Sequence, residues 1–593
     1  MEAHQNNQQN ILRVGHASSV NSQSVGVYYE PYEGDVYEDY LENRSMGSFT
    51  GDSYQGGLEV GSADLGTSMA SLGLNRTNQF GSMSGRLATL GRVQTVEKFK
   101  DLSLPAVVEL LANGDESIST NAAAYIQHLT YNNPENKHLV REAGAIEVLI
   151  SVLEERGASN KLLEHAAGAL RNSSYGCNEN KLSIKKYEGI SALLKLLRQR
   201  RDVPMIKVHV TGTLWNLSSH HSLKQPLLDQ VINDVVQIVL APYAAELRQN
   251  GLHSSYSRQN GLVQSFVNCS GLIRNLSSHS EAARRRLRDV DGLIDSLCDI
   301  IEIVASIADD EVANCKGVEG TVCALRNLTF RIHREASSKE FCPQLTVEKQ
   351  GCFWRPRLVQ APYKEPRVPP PNITAKGVER LIQISILPPL VFFISESSNP
   401  QTIEASIGIV QNLTSDNFYS SAYLRAHFRK EKGLPLLVEK IADQSRTISN
   451  TAIISLRNLA VDLKNKELIG KYGMGEVCAN IPDAKQAAVD DKIALAALFL
   501  AKTLVEYHSE NAQKFVEHKG VLKISAINES KHYSDKIRKV AGQVLSALWQ
   551  IKQLRKSYKN DLGLKKSNFK VCFIFLTLLN RFSSRKFFTT GKR

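Results

Sequence analysis

The feature that most constrains this chain is one short run, Thr211-Gly212-Thr213-Leu214-Trp215-Asn216-Leu217-Ser218-Ser219-His220, whose core keeps returning. Leu-x-Asn, followed by Leu or Ser and then Ser, Thr or Ala, recurs around Asn172 and Asn275, and again at Asn327, Asn412 and Asn458. Asn172 and Asn216 are 44 residues apart, and Asn412 and Asn458 are 46 apart. Tyr125-Ile126-Gln127-His128-Leu129-Thr130 adds a copy 44 residues before Asn172, with His128 in the asparagine's place. Leu500-Ala501-Lys502 and Leu545-Ser546-Ala547 continue the spacing without the amide. A fixed period of this length that reads helical throughout predicts an all-α solenoid of about nine stacked repeats.

Each repeat has the same grammar. A glycine precedes a short apolar helix, as at Gly144, Gly189, Gly292 and Gly433, and the longer Leu-x-Asn helix closes the unit. Small residues such as Ala166, Ala167, Gly168 and Ala169 let neighbouring helices approach. Two spacings break the period. Asn216 to Asn275 is 59 residues, which places an insertion in repeat 4 around Pro242 to Gln259, and Asn327 to Asn412 is 85, which places a longer one in repeat 6 at 337–374. Residues 1–95 are rich in Ser, Gly, Asn and Gln, carry five Arg against ten Asp or Glu, and are expected to be a disordered acidic tail. Tyr28, Tyr29, Tyr32, Tyr37 and Tyr40 sit there among carboxylates as candidate phosphorylation sites. The repeats are expected to fill 96–558, with a basic and apolar tail at 559–593 whose run Val571–Leu579 is too short to span a membrane.

The whole chain has a formal charge of +12, so everything after the acidic tail sums to +17, and acidic partners are expected for the array. In a right-handed stack of three-helix repeats the third helices stand side by side on the concave wall. Asn172, Asn216, Asn275 and Asn327 would then form a row of amides able to hold an extended main chain. The alternative for each amide is a bond inside the protein. Lys137, Lys181 and Arg284 each lie nine residues after a ladder position, which places three cations along one rim, and Lys316 is a further candidate eleven residues before Asn327. Trp215, beside Asn216, is the expected anchor of the groove. His220, His221 and His279 follow the motif, where turn or cap roles suffice.

From about Asp101 to Asp289 the sequence resembles the armadillo domain of the delta-catenin family, the catenins that bind the juxtamembrane part of classical cadherin tails. The likeness is carried by Asn121–Leu129, Thr211–His220 and Glu281–Arg285, and extended by Leu456–Asp462 and Asn465–Lys471. It implies an armadillo-repeat right-handed superhelix whose first five repeats hold an acidic, glycine-containing cadherin segment. By motif, Lys137, Lys181 and Lys316 correspond to the family's cationic contacts, Trp215 and Asn216 to those of the third repeat, His128 to the first-repeat histidine and Asn275 to the fourth-repeat asparagine. Phe99 stands where relatives have tryptophan. The resemblance also raises Rho-family GTPase regulators as partners, although the repeat-6 insertion lacks the dense lysine run that relatives use.

The expected function is a non-catalytic adaptor, monomeric, cytoplasmic and bound at cell-cell junctions, with a nuclear pool as a further location. No cofactor, metal or small-molecule substrate is expected. The nine cysteines show no CxxC pair and no ligand spacing with histidine, and there is no GxSxG or P-loop. A plakophilin-like desmosomal plaque protein is the nearest rival. An importin-alpha-like receptor would need an acidic groove, and a nucleic-acid binder would need stacking aromatics.

Overall fold

The computed structural model describes residues 96–250, 261–335, 374–415, 418–483 and 491–569. The expectations for the tail and its tyrosines, for most of the repeat-6 insertion and for the terminal apolar run lie outside these residues. Among the described residues the secondary structure is helical, and its backbone is nine long third helices, each packed on the next. They are α1 (Glu116–Leu129), α2 (Asn160–Ser174), α3 (Pro204–Ser218), α4 (Leu262–Ser277), α5 (Lys316–Thr329), α6 (Pro400–Leu413), α7 (Arg446–Leu459), α8 (Asp491–Val505) and α9 (Asp535–Gln550). The expected all-α solenoid of nine repeats is what forms.

Local chemistry sets where these helices begin. Asp115 caps α1 by accepting from the Ser117 and Ile118 amides, Asn399 does the same for α6, and Ser159 and Ser534 cap α2 and α9. Pro204 and Pro400 open α3 and α6, where a missing N–H costs nothing. The glycines that mark the second helices act in two ways. Gly144 and Gly292 both turn the chain with φ +75°. At Gly189 and Gly433 the left-handed residue is instead the preceding Glu188 or Lys432, and the glycine yields space to the Ile184 and Phe428 side chains.

A single continuous core runs the length of the stack, from Phe99 to Phe569. Each repeat buries an apolar face that it could not bury alone, so stability is a sum of neighbour contacts. The excess residues of repeat 4 begin as ordered structure: a π turn at Val236–Leu240 leads into a helix at Ala241–Asn250, whose Tyr243 stacks on Phe266 at 4.0 Å. The chain re-enters after the repeat-6 insertion pinned to the second helix of repeat 5 (Leu293–Ile307). There Arg380 binds Asp299 at 2.6 Å and Glu302 at 2.8 Å, and the Gly377 amide donates to Asp295 at 3.0 Å. At the C-terminal end Tyr558 and Phe569 fold back onto Trp549 and are buried, so the ordered cap extends beyond the boundary expected at 558.

Candidate peptide-binding groove

The ladder asparagines do something that the repeat spacing alone did not reveal. Asn172 Nδ2 donates to the Gln127 carbonyl at 2.8 Å, Asn216 to Arg171 at 3.0 Å, Asn412 to Arg326 at 2.9 Å and Asn458 to Gln411 at 3.1 Å. Asn327 reaches the Ser277 hydroxyl at 3.0 Å, and Asn275 the Ser218 hydroxyl at 2.9 Å. Each amide thus staples its own third helix to the one before it. The expectation of amides whose N–H groups are free for a partner is corrected: Asn172 commits one N–H to the fold, and Asn216 and Asn412 commit two, the second going to the Ser174 and Thr329 hydroxyls. The side-chain carbonyls of Asn172 and Asn216 accept nothing among the described residues, which leaves them open to a donor. His128, at the start of the row, is exposed.

The residue before each asparagine forms a second row, lying across the next third helix at a residue four before that helix's own asparagine. Gln127 lies on Gly168, Arg171 on Gly212, Trp215 on Gly271 and Arg326 on Gly408. A Cβ at Gly271 would stand 2.4 Å from the Trp215 ring, so glycine is what lets this side chain lie flat between α3 and α4. Trp215 is therefore half-buried on the groove floor, with one part of its ring packed and the other part open.

The three cations at the +9 offset are not on a solvated rim. Lys137, Lys181 and Arg284 are only 5%, 6% and 4% exposed, and each reaches from the first helix of one repeat to the end of the next third helix. Lys137 donates to the Tyr175 carbonyl at 2.7 Å with its ammonium 5.1 Å from the Tyr175 ring centre, Lys181 donates to the Ser219 hydroxyl at 2.8 Å, and Arg284 lies over the Phe330 ring at 4.9 Å. These partners are neutral. Burial, with Lys181 adding to it, pushes the Lys137 ammonium below its usual pKa. Lys224 stands in the same row, 2% exposed, and was missed because it follows Asn216 by eight residues instead of nine. A matching set of first-helix amides was also missed. Asn180 bonds the Lys137 and Ser173 carbonyls, Asn465 those of Arg425 and Leu459, and Asn511 those of Lys466 and Leu504.

Charge is distributed unevenly along this wall. Arg171 in α2 has no hydrogen-bond acceptor or carboxylate for its guanidinium among the described residues, and burial lowers its pKa. The imidazole of His209 beside it is pushed down to about 3 by burial first and then by Arg171 and His165, so it stays neutral and adds no second positive charge there. Two repeats on, the picture reverses. Glu319, 3% exposed, takes Arg274 at 2.8 Å and Lys316 at 2.8 Å and also accepts from Asn399 at 2.9 Å. Glu404 takes Arg326 at 2.7 Å and accepts from Thr451 at 2.9 Å. Lys316, expected to be a groove cation, thus already has an internal carboxylate, and Asn327 beside Arg326 lies in this neutralised stretch. Phe99 is fully buried against Tyr125, with ring centres 5.9 Å apart, and contributes to the core instead of to an outer contact.

One cluster brings together residues whose sequence spacing hid them: His138, Cys177 and Glu179 place three potential ligand atoms within 4.8 Å of one another. Lys137 and Arg141 flank the thiol, and their charges oppose a bound cation. Among the described residues no helix is long and apolar enough to cross a membrane.

The model of the armadillo/beta-catenin-like repeat matches residues 133–172. Human catenin delta-2 is 34% identical over 530 residues, covering 80% of this chain and 41% of the relative. Human plakophilin-4 is 34% identical over 487 residues, covering 78% and 40% respectively. Catenin delta-1 of Xenopus laevis is 31% identical over 520 residues, covering 84% and 60%. The chain therefore spans about two fifths to three fifths of the length of these relatives. An engineered protein of known crystal structure aligns with a TM-score of 0.53 at 15% identity, covering 79% of this chain and 96% of its own, a likeness of fold alone.

Proposed function

The chain belongs to the delta-catenin family of armadillo-repeat proteins, and from that premise we propose that it is a non-catalytic adaptor whose first repeats clasp the acidic juxtamembrane segment of a cadherin cytoplasmic tail. In this reading it acts on the cytoplasmic face of cell-cell junctions, stabilises the cadherin at adherens junctions and supports adhesion. The observation that carries the reading is the charge balance of the groove. The charges of Lys137 and Arg171 meet no internal carboxylate among the described residues, whereas Arg274 in α4 and Arg326 in α5 are neutralised by Glu319 and Glu404. A bound acidic segment would supply what the fold withholds at Lys137 and Arg171 and would add to the contacts of Lys181, with Trp215 as its apolar anchor and the open carbonyls of Asn172 and Asn216 accepting from its main chain. Asn275, Arg284 and His128 extend the same wall.

The test is calorimetry of the full chain with an acidic, glycine-containing juxtamembrane peptide. Tight binding that Lys137→Glu with Lys181→Glu removes supports the reading, and unchanged affinity in that double variant overturns it. A plakophilin-like role at desmosomes is the second reading, favoured by plakophilin-4 being as similar as catenin delta-2. Deleting residues 1–94 separates the two: lost junctional targeting favours the plakophilin role, and retained targeting the cadherin groove. Rho-family GTPase regulators would be partners of regions beyond this wall.

A further inference from the structure

Lys224 is the most deeply buried of the four cations in the first-helix row, and its surroundings differ from those of the other three. It lies in the short helix Lys224–Gln230 of repeat 4. Where Lys137 finds the Tyr175 carbonyl and Lys181 the Ser219 hydroxyl, the equivalent group for Lys224 would be Ser278. Ser278 donates to the Asn275 carbonyl at 2.9 Å just as Ser219 donates to Asn216 at 2.8 Å, yet only Ser219 also accepts from the lysine of its repeat. Among the described residues the Lys224 ammonium has no acceptor within hydrogen-bond distance and no carboxylate within 4.0 Å. The stem is buried while the ammonium keeps a contact with solvent, and a partly desolvated ammonium with no partner of its own gains most from an anion that reaches it.

What surrounds it is also short of negative charge. His279, which follows α4, lies within the field of Lys224, and its ring meets that of His221 edge-on with centroids 4.9 Å apart. His221 is exposed, so the cluster has an open side. His220 continues it toward Lys181, whose charge it feels. Two imidazoles able to donate N–H bonds and a buried ammonium thus converge between the ends of α3 and α4, one repeat beyond Trp215.

We propose that Lys224, with His221 and His279 at its mouth, is an anion station that receives an oxyanionic side chain of the bound segment, a carboxylate or a phosphate monoester. This rests on the reading of the wall as an acidic-peptide groove and adds a site that the regular spacing concealed. The station holds its anion by charge-assisted bonds from the ammonium and one or both imidazoles, and it fixes the register of the segment one repeat past the tryptophan.

The full chain carrying Lys224→Met, which keeps the length of the side chain and removes the charge, tests the proposal in two arms. In chloride buffer the variant is expected to melt above the wild type, because a partly desolvated charge with no partner has been removed. In inorganic phosphate at matched ionic strength the gap is expected to narrow, as the anion enters the wild-type site. Phosphate stabilises folded proteins generally by exclusion, so the difference between the two chains is what is read. In calorimetry the acidic peptide is expected to bind the variant at least tenfold more weakly, and a phosphoserine version of the peptide at the same register separates phosphate from carboxylate. A variant that melts below the wild type, or a gap equal in both salts, overturns the station. A salt-dependent gap with undiminished peptide affinity overturns its role in the bound segment. If the wild type binds no acidic peptide while the salt-dependent gap persists, the groove reading fails and the anion site stands.

Discussion

Leu170-Arg171-Asn172 in α2 and Leu325-Arg326-Asn327 in α5 are the same tripeptide at the same place in their repeats, and their arginines meet opposite fates. Both guanidinium groups lie across a glycine of the next third helix, Gly212 and Gly408 respectively. One turn before that glycine stands Val208 in the first case and Glu404 in the second. Arg326 is therefore held at 2.7 Å by a carboxylate of its own chain, and Arg171 is not. One position on the following helix decides whether a ladder arginine is part of the fold or is available to a partner. The same position holds Glu319 under Arg274. The wall is thus divided into an N-terminal stretch with unspent positive charge and a middle stretch that is neutral from within.

The largest effect is expected where that unspent charge is reversed. In the double variant Lys137→Glu with Lys181→Glu, two charge-assisted bonds of about 1.5–3 kcal/mol each are replaced by repulsion, so acidic-peptide affinity measured by calorimetry should fall by more than a hundredfold. In the neutral stretch the comparable break is Glu319→Ala. It removes the carboxylate that Arg274 and Lys316 share, and because breaking a largely buried pair costs up to about 3–5 kcal/mol, the midpoint of denaturant unfolding should fall while peptide affinity barely moves. Glu319 also sets a pH dependence. Lys316, Asn399 and Arg274 hold its carboxyl below the usual range against the opposing effect of burial. Its contribution is complete above the ordinary glutamate pKa and is lost as pH falls through the lower folded-state value, so the acid limb of the stability curve should flatten in Glu319→Gln.

Much of this division was legible in the residues, and some of it was not. The ladder asparagines announced the repeat and its period, because a residue that bonds to the previous copy of itself must recur at the repeat length. What they bond to could not be read, since the acceptor is a backbone carbonyl that becomes a neighbour only after stacking. Lys137, Lys181 and Arg284 were visible as one phase, but their burial was not, because a turn position in sequence gives no sign of the Tyr175 or Phe330 ring that covers it. Lys224 escaped through a shift of a single residue. Glu319 and Glu404 were in view eight residues before their asparagines, but their meaning depends on an arginine one repeat away. His138 and Cys177 are 39 positions apart and meet only through packing.

Smaller effects sharpen the same contrast. Trp215→Ala should cost on the order of 2 kcal/mol of peptide affinity as an anchor of the N-terminal stretch. Gly271→Ala, which drives a methyl into the ring of an otherwise intact tryptophan, should reproduce part of that loss with the indole still present. Asn216→Ala should destabilise the array by about 1–2 kcal/mol, because it removes donations to both the Arg171 carbonyl and the Ser174 hydroxyl. Asn412→Ala should cost a similar amount of stability with no change in affinity, since its staple lies in the neutral stretch.

The most direct measurement sets two matched lysines of the first-helix row against each other, Lys137→Met and Lys466→Met, by calorimetry of the full chain with one acidic juxtamembrane peptide. Lys137 lies in the stretch whose charge is unanswered, and Lys466 donates to the Glu506 carbonyl beyond the neutral stretch. A loss of at least tenfold for the first and less than twofold for the second is expected. Equal losses, or a larger loss at Lys466, would contradict the claim that an acidic segment occupies the N-terminal part of the wall.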